Sequence, residues 1–160
     1  MITVAILTIS DKGSKGERED LSGPWIEEML KGIGAEVKYY EILPDEKRLI
    51  RKNLIKYSKK VDLILTTGGT GLSPRDVTPD ATLEVIEREV PGISEAMRAE
   101  GLKKTSRSML SRAVAGIKGE TLIINLPGSP KAVRENLEVI LNVIPHAIEK
   151  IKGDLTECAR

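Results

Sequence analysis

The sequence predicts an α/β protein: a three-layer α/β/α sandwich with a mostly parallel sheet and one antiparallel strand. Three observations carry that reading. Short apolar runs rich in β-branched residues alternate with stretches of helical periodicity, the pattern of strands joined by crossover helices. The runs Ile2–Ile9 and Val61–Thr67 are apolar nearly throughout, as strands covered on both faces must be. Polar loops follow the strand-like runs directly, and beyond the carboxyl ends of strands is where open α/β sheets place their ligands.

In chain order, Ile2–Ile9 is the first strand, and Ser10–Gly16 is a polar loop containing glycine. Ser22 can cap a helix from Gly23 to Lys31, with Pro24 tolerated in its first turn and Trp25, Ile26, Met29, Leu30 and Ile33 on one apolar face. Glu36–Leu43 is a second strand leading into Pro44-Asp45-Glu46. Glu46–Lys59 is a helix with Leu49, Ile50, Leu54 and Tyr57 on its stripe. Val61–Thr67 is the third strand, followed by the glycine loop. Thr78-Pro79-Asp80 then reads as an N-cap, a proline in the first turn and an acid that suits the helix dipole. That helix spans Asp80–Glu89 with Leu83 and Ile86 facing inward, and Pro91 restarts another through Lys104. Ser106–Ser111 is a polar connector. Ala113–Ile117 and Thr121–Asn125 are strands turning at Lys118-Gly119, which makes one of them antiparallel. Ser129 caps and Pro130 begins the last helix, striped by Val133, Leu137, Ile140, Leu141, Ile144 and Ile148, with a break expected at Pro145.

Length and composition narrow the function. The chain has 160 residues, enough for one domain with its own core, read as a domain over 1–153 and a C-terminal tail over 154–160. Its net charge of +1 and the lack of a basic stripe interleaved with aromatics argue against general nucleic-acid binding. With no Phe, one Trp and three Tyr, the core must be aliphatic. No apolar run reaches membrane-spanning length, and Met1–Ser10 reads as a strand rather than a signal peptide, so the expected location is the cytoplasm. The single cysteine, Cys158, has no partner for a disulfide, and the single histidine, His146, lies within a helical stripe. Ser-His-Asp and zinc chemistry are excluded on that basis.

The chemistry concentrates in Gly68-Gly69-Thr70-Gly71 and the residues after it. Glycines let backbone N–H groups converge on one point, and such a nest suits phosphate. The loop lacks the Gly-Lys-Ser/Thr ending of a Walker A sequence and is not a dinucleotide fingerprint. Ser73, Arg75 and Asp76 add a hydroxyl, a cation and a carboxylate. If the strands are parallel, the loops at Ser10–Gly16, Pro44–Glu46, Gly68–Asp76 and Asn125–Pro130 share one rim carrying Asp11, Asp45, Asp76 and Asp80. Carboxylates among phosphate-binding nests suit Mg²⁺, which takes one or two of them together with substrate phosphates. Asp45 and Asp76 are best placed for this. Asp45 fits equally well as a cap for the helix at Glu46, and Asp76 could instead pair with Arg75 or form an Asx turn. Asp11 and Asp80 fit local caps, and capping is the favoured role for Asp80. Lys131, at the start of the last helix, opposes the dipole preference and hints at an anion.

The run Thr66-Thr67-Gly68-Gly69-Thr70-Gly71 continuing into Arg75-Asp76-Val77-Thr78-Pro79-Asp80-Ala81-Thr82 closely resembles the molybdenum-cofactor biosynthesis family, the MogA/MoaB-like molybdopterin-binding proteins. Thr8-Ile9-Ser10-Asp11, Leu43-Pro44-Asp45-Glu46, Met109-Leu110-Ser111-Arg112 and Asn125-Leu126-Pro127-Gly128-Ser129-Pro130 extend the resemblance over the chain in order. The resemblance implies a homotrimer that adenylylates the terminal phosphate of molybdopterin from ATP with Mg²⁺, releasing pyrophosphate. It makes Asp45 and Asp76 the catalytic acids, the same two residues read above as the candidate Mg²⁺ ligands. It also assigns ligand binding to Gly68, Gly69, Thr70, Gly71, Asn125, Pro127 and Gly128. Ser10, Asp11, Ser73, Arg75, Asp80, Ser111, Ser129 and Lys131 join them as candidate substrate-binding residues. Hand-over of product to the molybdate-insertion enzyme is the expected partnership. The rival readings are a MoaB-like molybdopterin carrier and a non-catalytic interaction domain of the same fold.

Overall fold

The structure, a computed structural model, describes residues 1–158. Its sheet has six strands: β1 (Ile2–Ile9), β2 (Ala35–Leu43), β3 (Leu63–Thr67), β4 (Arg88–Glu89), β5 (Ala115–Lys118) and β6 (Thr121–Leu126). Their spatial order is β2-β1-β3-β6-β5-β4. Strands β2, β1, β3 and β6 pair in parallel, whereas β5 pairs antiparallel with both β6 and β4. The expected antiparallel strand is therefore β5.

Seven helices complete the described chain: α1 (Asp11–Ser14), α2 (Ser22–Lys31), α3 (Lys47–Tyr57), α4 (Thr78–Val85), α5 (Pro91–Leu102), α6 (Pro130–Ile140) and α7 (Ile144–Ile151). Alternation along the strands divides the core into two layers. Val4, Ile6, Leu63, Leu65, Leu122 and Ile124 face α2, α5, α6 and α7. Ala5, Leu7, Ile64 and Ile123 face Ile50, Leu54 and Tyr57 of α3 and Ala81 and Val85 of α4. This is the three-layer sandwich, with a core in which Tyr57 is the one aromatic residue among the buried side chains. A 3₁₀ turn over Leu141–Val143 separates α6 from α7, and Pro145 lies in the first turn of α7, so the expected break is realised as a restart. No helix among the described residues is long and apolar enough to cross a membrane.

Several local expectations are corrected. Trp25 does not join the buried face of α2; it is 45% exposed, while Ile26 and Leu30 are fully buried. Ser22 does not cap α2. The Asp20 carboxylate accepts from the N–H groups of Ser22 and Gly23, freeing the Ser22 hydroxyl to donate to Gly128 O at 2.8 Å. Helix α4 stops at Val85, and its inward residues are Ala81, Thr82 and Val85, so Leu83 is exposed. The segment after it forms β4, a short edge strand too small to read from alternation. Thr78 lies inside α4 rather than at its cap, and its hydroxyl donates to Gly68 O at 2.9 Å. In the predicted tail, residues 159–160 lie outside the described residues. Up to residue 158, Lys150 donates to the carbonyls of Asp154 and Thr156, and His146 Nε2 stands 3.1 Å from Cys158 Sγ.

Strand register sets up the site. Ile9 pairs with Leu43, Thr8 with Thr67 and Thr67 with Leu126, so four parallel strands finish at one level. The loops that leave them meet on one rim. Gly68 is where they come closest: its φ is +99°, and a Cβ there would overlap the Ile9 carbonyl oxygen. Gly16, at φ +72°, has open space around it. Gly16→Ala should therefore cost about 1 kcal/mol, the left-handed penalty alone. Gly68→Ala should cost more than about 3 kcal/mol, because overlap with fixed backbone adds to it. Urea unfolding midpoints check the order, and equal losses would mean that the β1 and β3 loops are not held in contact.

Candidate active site

The rim opens into a cleft of about 750 Å³. Ser10 and Asp11 after β1, Asp45 after β2, Gly68, Gly69 and Asp76 after β3, and Gly128, Ser129 and Pro130 after β6 all line it. The segment Arg18–Ser22 closes one side.

The floor is built by backbone. Gly68 and Gly69 both have positive φ, +99° and +69°, which turns the chain sharply as it leaves β3. Gly68 N–H donates to Leu126 O at 3.1 Å, Thr67 Oγ1 donates to Pro127 O at 2.6 Å, and Thr78 N–H donates to Gly69 O at 3.2 Å. A Cβ on Gly128 would stand 3.3 Å from Gly68 Cα, so the β3 and β6 loops touch backbone to backbone. Among the described residues, the N–H groups of Gly69, Gly128 and Ser129 donate to no protein acceptor. Ser129 caps α6 by accepting from Ala132 N–H at 3.2 Å, which directs the positive end of an eleven-residue helix at the same place. The combination suits an anion with several oxygens, phosphate above all.

Carboxylates ring this floor. Asp11 N–H donates to Asp45 Oδ2 at 2.9 Å, and Asp45 N–H returns a bond to Asp11 Oδ1 at 3.0 Å. Arg75 then grips Asp11 with both arms of its guanidinium, at 3.0 and 2.8 Å. Arg75 thus pairs with Asp11 and not with Asp76. The Arg75 guanidinium holds the Asp11 carboxyl below the usual range, with help from the Asp45 N–H. Asp45 moves the other way: burial raises its pKa, and the charges of Asp11 and Asp76 add to the rise, against the lowering effect of the Asp11 N–H bond. Asp45 is not a cap, because Glu46 occupies that position and contributes no side-chain bond. Asp76 Oδ2 accepts from Ser73 N–H at 3.0 Å.

The glycines make room for both acids. A Cβ on Gly69 would overlap the Thr78 hydroxyl and stand 3.2 Å from Asp45 Oδ1, and one on Gly71 would stand 2.8 Å from Asp76 Oδ2. Among the described residues, the second oxygen, Oδ1, of both Asp45 and Asp76 accepts no hydrogen bond from the protein. Two such hard oxygen donors fit Mg²⁺, which completes its shell with water and phosphate. They do not make an all-protein cage, since no cluster of three or more candidate ligands occurs among the described residues.

The other candidate residues take different places. Ser73, Arg75 and Lys131 are exposed, and none of them lines the cleft wall. Ser10 caps the one-turn helix α1 by accepting from Gly13 N–H. Asn125 is fully buried: its amide donates to Thr66 Oγ1 and Thr82 Oγ1 and accepts from Val114 N–H, so it fixes β6 beneath the cleft. Pro127 presents its carbonyl to Thr67. Ser111 is held apart from the cleft, its carbonyl accepting from Arg98 and its hydroxyl from Ala113 N–H, whereas Thr70, Gly71 and Asp80 belong to a layer organised by Arg112, whose importance the sequence did not reveal. Arg112 N–H donates to Thr70 O, and its guanidinium donates to Gly71 O, Asp76 O and both oxygens of Asp80. That contact holds the Asp80 carboxyl low and fixes the loop carrying Asp76. Asp20 was missed too; it takes the Thr8 hydroxyl at 2.7 Å, caps α2 and lines the cleft. The Met-Leu-Ser-Arg run was the available signal for Arg112. For Asp20 the signal was an acid two residues before Ser22.

Residues 5–146 match the family model described as a probable molybdopterin binding domain. The chain is 46% identical over 157 residues to a molybdopterin adenylyltransferase of Helicobacter pylori, covering 96% of this chain and 89% of that protein. It is 43% identical to the molybdenum cofactor synthesis protein cinnamon of Drosophila melanogaster, covering 97% of this chain and 26% of that much longer one. Among solved structures, the molybdopterin biosynthesis enzyme MoaB of Thermus thermophilus superposes with a TM-score of 0.91 at 54% identity, covering 96% of this chain and 98% of that one. With the family model spanning most of the chain and the glycine loops placed on one rim, the chain belongs to the molybdopterin-binding family of molybdenum-cofactor biosynthesis.

Proposed function

We propose that this protein is a molybdopterin adenylyltransferase, joining AMP from ATP to the terminal phosphate of molybdopterin and releasing pyrophosphate. The observation that carries the reading is one cleft in which unpaired backbone N–H groups and two carboxylates with free oxygens converge. The relative in Helicobacter pylori that bears this activity aligns over nearly the whole chain.

The nucleophile is a phosphate monoester, whose second pKa is about 6, so at neutral pH it attacks without a general base. The chain's task is placement and charge management. The glycine floor and the α6 N-terminus hold phosphate oxygens in line, and Lys12 and Arg18 on the cleft wall offset their charge. Asp45 and Asp76 would hold Mg²⁺, which when bound neutralises charge across the phosphates. Arg112 keeps Asp76 in position through the main chain.

Several attributes complete the reading. We assign a homotrimer from the family resemblance; exposed Leu72, Met109 and Leu110, near the Arg112 N–H to Thr70 O bond, offer apolar surface for contact between copies. Hand-over to a molybdate-inserting enzyme is supported by a relative that carries this unit as a quarter of a longer chain. A cytoplasmic location and a domain ending near residue 153 agree with both.

Asp76→Asn should lower molybdopterin-dependent pyrophosphate release from Mg²⁺-ATP by about a thousandfold while leaving molybdopterin affinity and the fold intact. A wild-type protein that binds molybdopterin and releases no pyrophosphate would establish a molybdopterin carrier instead. Asp45 gives an independent check. Its folded pKa is raised, so the folded chain binds that proton more tightly than the unfolded one. Stability therefore declines as pH rises from the unfolded value of about 3.9 through the folded value. Asp45→Asn should raise the melting temperature at pH 7, and the gain should vanish below about pH 3.9. Adding Mg²⁺ should raise the melting temperature of the wild type and not that of the Asp45→Asn variant; a gain that persists in acid would overturn this account of Asp45.

A further inference from the structure

A second hollow of about 470 Å³ adjoins the cleft. It shares Glu19, Asp20, Leu21 and Pro130 with the cleft wall and is completed by Pro24, Trp25 and Glu28. Its character differs from the cleft's: the walls are a tryptophan, two prolines and a leucine, with carboxylates at the edge. Trp25 is the single tryptophan of the chain and stands on the exposed side of α2. Its ring has a cation beside it. The Arg134 guanidinium lies 5.5 Å from the ring centroid, and Glu138 holds Arg134 in turn at 3.1 Å. Glu28 is braced by Lys31 at 2.7 Å. A large aromatic side chain thus stands exposed on the border of a phosphate-binding cleft.

We propose that this hollow is the ring subsite of the same cleft, in which Trp25 stacks a planar, amino-bearing nitrogen heterocycle of a substrate whose phosphate lies in the glycine cradle. The proposal rests on the reading of the cleft as a site for phosphorylated substrates. Pro130 joins the two spaces: it lines both while beginning α6, whose N-terminus faces the cleft. A ligand anchored there extends its ring toward Leu21, Pro24 and Trp25. Glu19 and Glu28 present carboxylates that accept from exocyclic amino and ring N–H groups, which adenine and the pterin both carry. A flat heterocycle matches the walls better than a sugar or an aliphatic chain, since stacking rewards a π-face whatever its substituents.

Calorimetric titration of the full-length protein with ATP, molybdopterin and tripolyphosphate, each in the presence of Mg²⁺, tests this. The comparison uses wild type, Trp25→Ala and Trp25→Phe. Trp25→Ala should weaken one of the two ring-bearing ligands about tenfold and leave tripolyphosphate unchanged, and the ligand that weakens identifies the ring. Trp25→Phe should recover affinity to within about threefold, since a smaller aromatic face still stacks. In the wild type, the same ligand should quench the fluorescence of Trp25 where tripolyphosphate does not. Unchanged affinity for both ring-bearing ligands in Trp25→Ala would overturn the proposal, and a simultaneous fall in oligomer mass would reassign the hollow to a contact between copies of the chain. Because the readout is binding, a wild type that releases no pyrophosphate would overturn the transfer reaction and not this assignment.

Discussion

The backbone of Gly68 packs against the Ile9 carbonyl on one side and Gly128 on the other, and no side chain fits between them. Much of the rim depends on that approach. It brings the loops after β1, β3 and β6 into contact, and three bonds lock it: the long-range pairs Thr67 to Pro127 and Ser22 to Gly128, and the more local Thr78 to Gly68. With the floor fixed, Asp45 reaches the face of Gly69 and Asp76 that of Gly71. The glycines thus serve two purposes, since they adopt positive φ at Gly68 and Gly69 and leave space that the carboxylates fill. Residues whose hydroxyls would ordinarily cap helices are diverted to tie loops together, and Asp20 takes over the capping that Ser22 gives up.

This division of labour explains what the sequence made legible. The buried strands announced themselves through continuous apolar runs, and the loops at their ends followed from glycine and proline. A parallel sheet then put Asp11, Asp45 and Asp76 on one rim, because ladder register leaves little freedom once strand direction is known. What stayed hidden were side chains acting on distant backbone. The Ser22 to Gly128 bond spans 106 residues and Arg112 to Asp76 spans 36, separations at which local propensity carries no signal. Trp25 misled for a different reason. Helical periodicity shows which residues share a face but not how wide the buried stripe is, and on α2 the stripe is centred on Ile26 and Leu30 and leaves Trp25 outside it. Leu83 failed likewise, because α4 is too short for its periodicity to have been sampled.

Asn125 and Asp80 show that membership of a family motif and contact with a ligand are separable. Asn125 sits within the Asn-Leu-Pro-Gly run, yet its amide is fully occupied beneath the cleft by Thr66, Thr82 and Val114. Asp80 closes the Arg-Asp-Val-Thr-Pro-Asp run and is held by Arg112. Both positions restrict residue type through geometry: only an amide both donates to the two threonines and accepts from Val114, and a carboxylate matches the forked guanidinium. Their chemistry reaches the cleft through the backbone they hold.

The charge balance of the cleft points to the form in which substrate arrives. Asp11, Glu19, Asp20, Asp45 and Asp76 all line it, against Lys12 and Arg18. Arg75 redresses this only in part: it pairs with Asp11 and tempers the rise in the pKa of Asp45, but leaves Glu19, Asp20, Asp45 and Asp76 facing Lys12 and Arg18. Asp45 registers the excess directly, since the charges of Asp11 and Asp76 add to the rise that burial imposes on its pKa. A polyphosphate entering such a cleft alone would meet like charge at each acid, at about 4 kcal/mol per pair at 4 Å in a medium of effective dielectric 20. Free N–H groups and a helix N-terminus contribute partial charges too small to offset several such terms. An anion site surrounded by carboxylates is therefore favourable when anion and cation bind together. That coupling makes the affinities of nucleotide and divalent ion mutually dependent, and it accounts for a phosphate cradle bordered by acids where lysines would otherwise be expected.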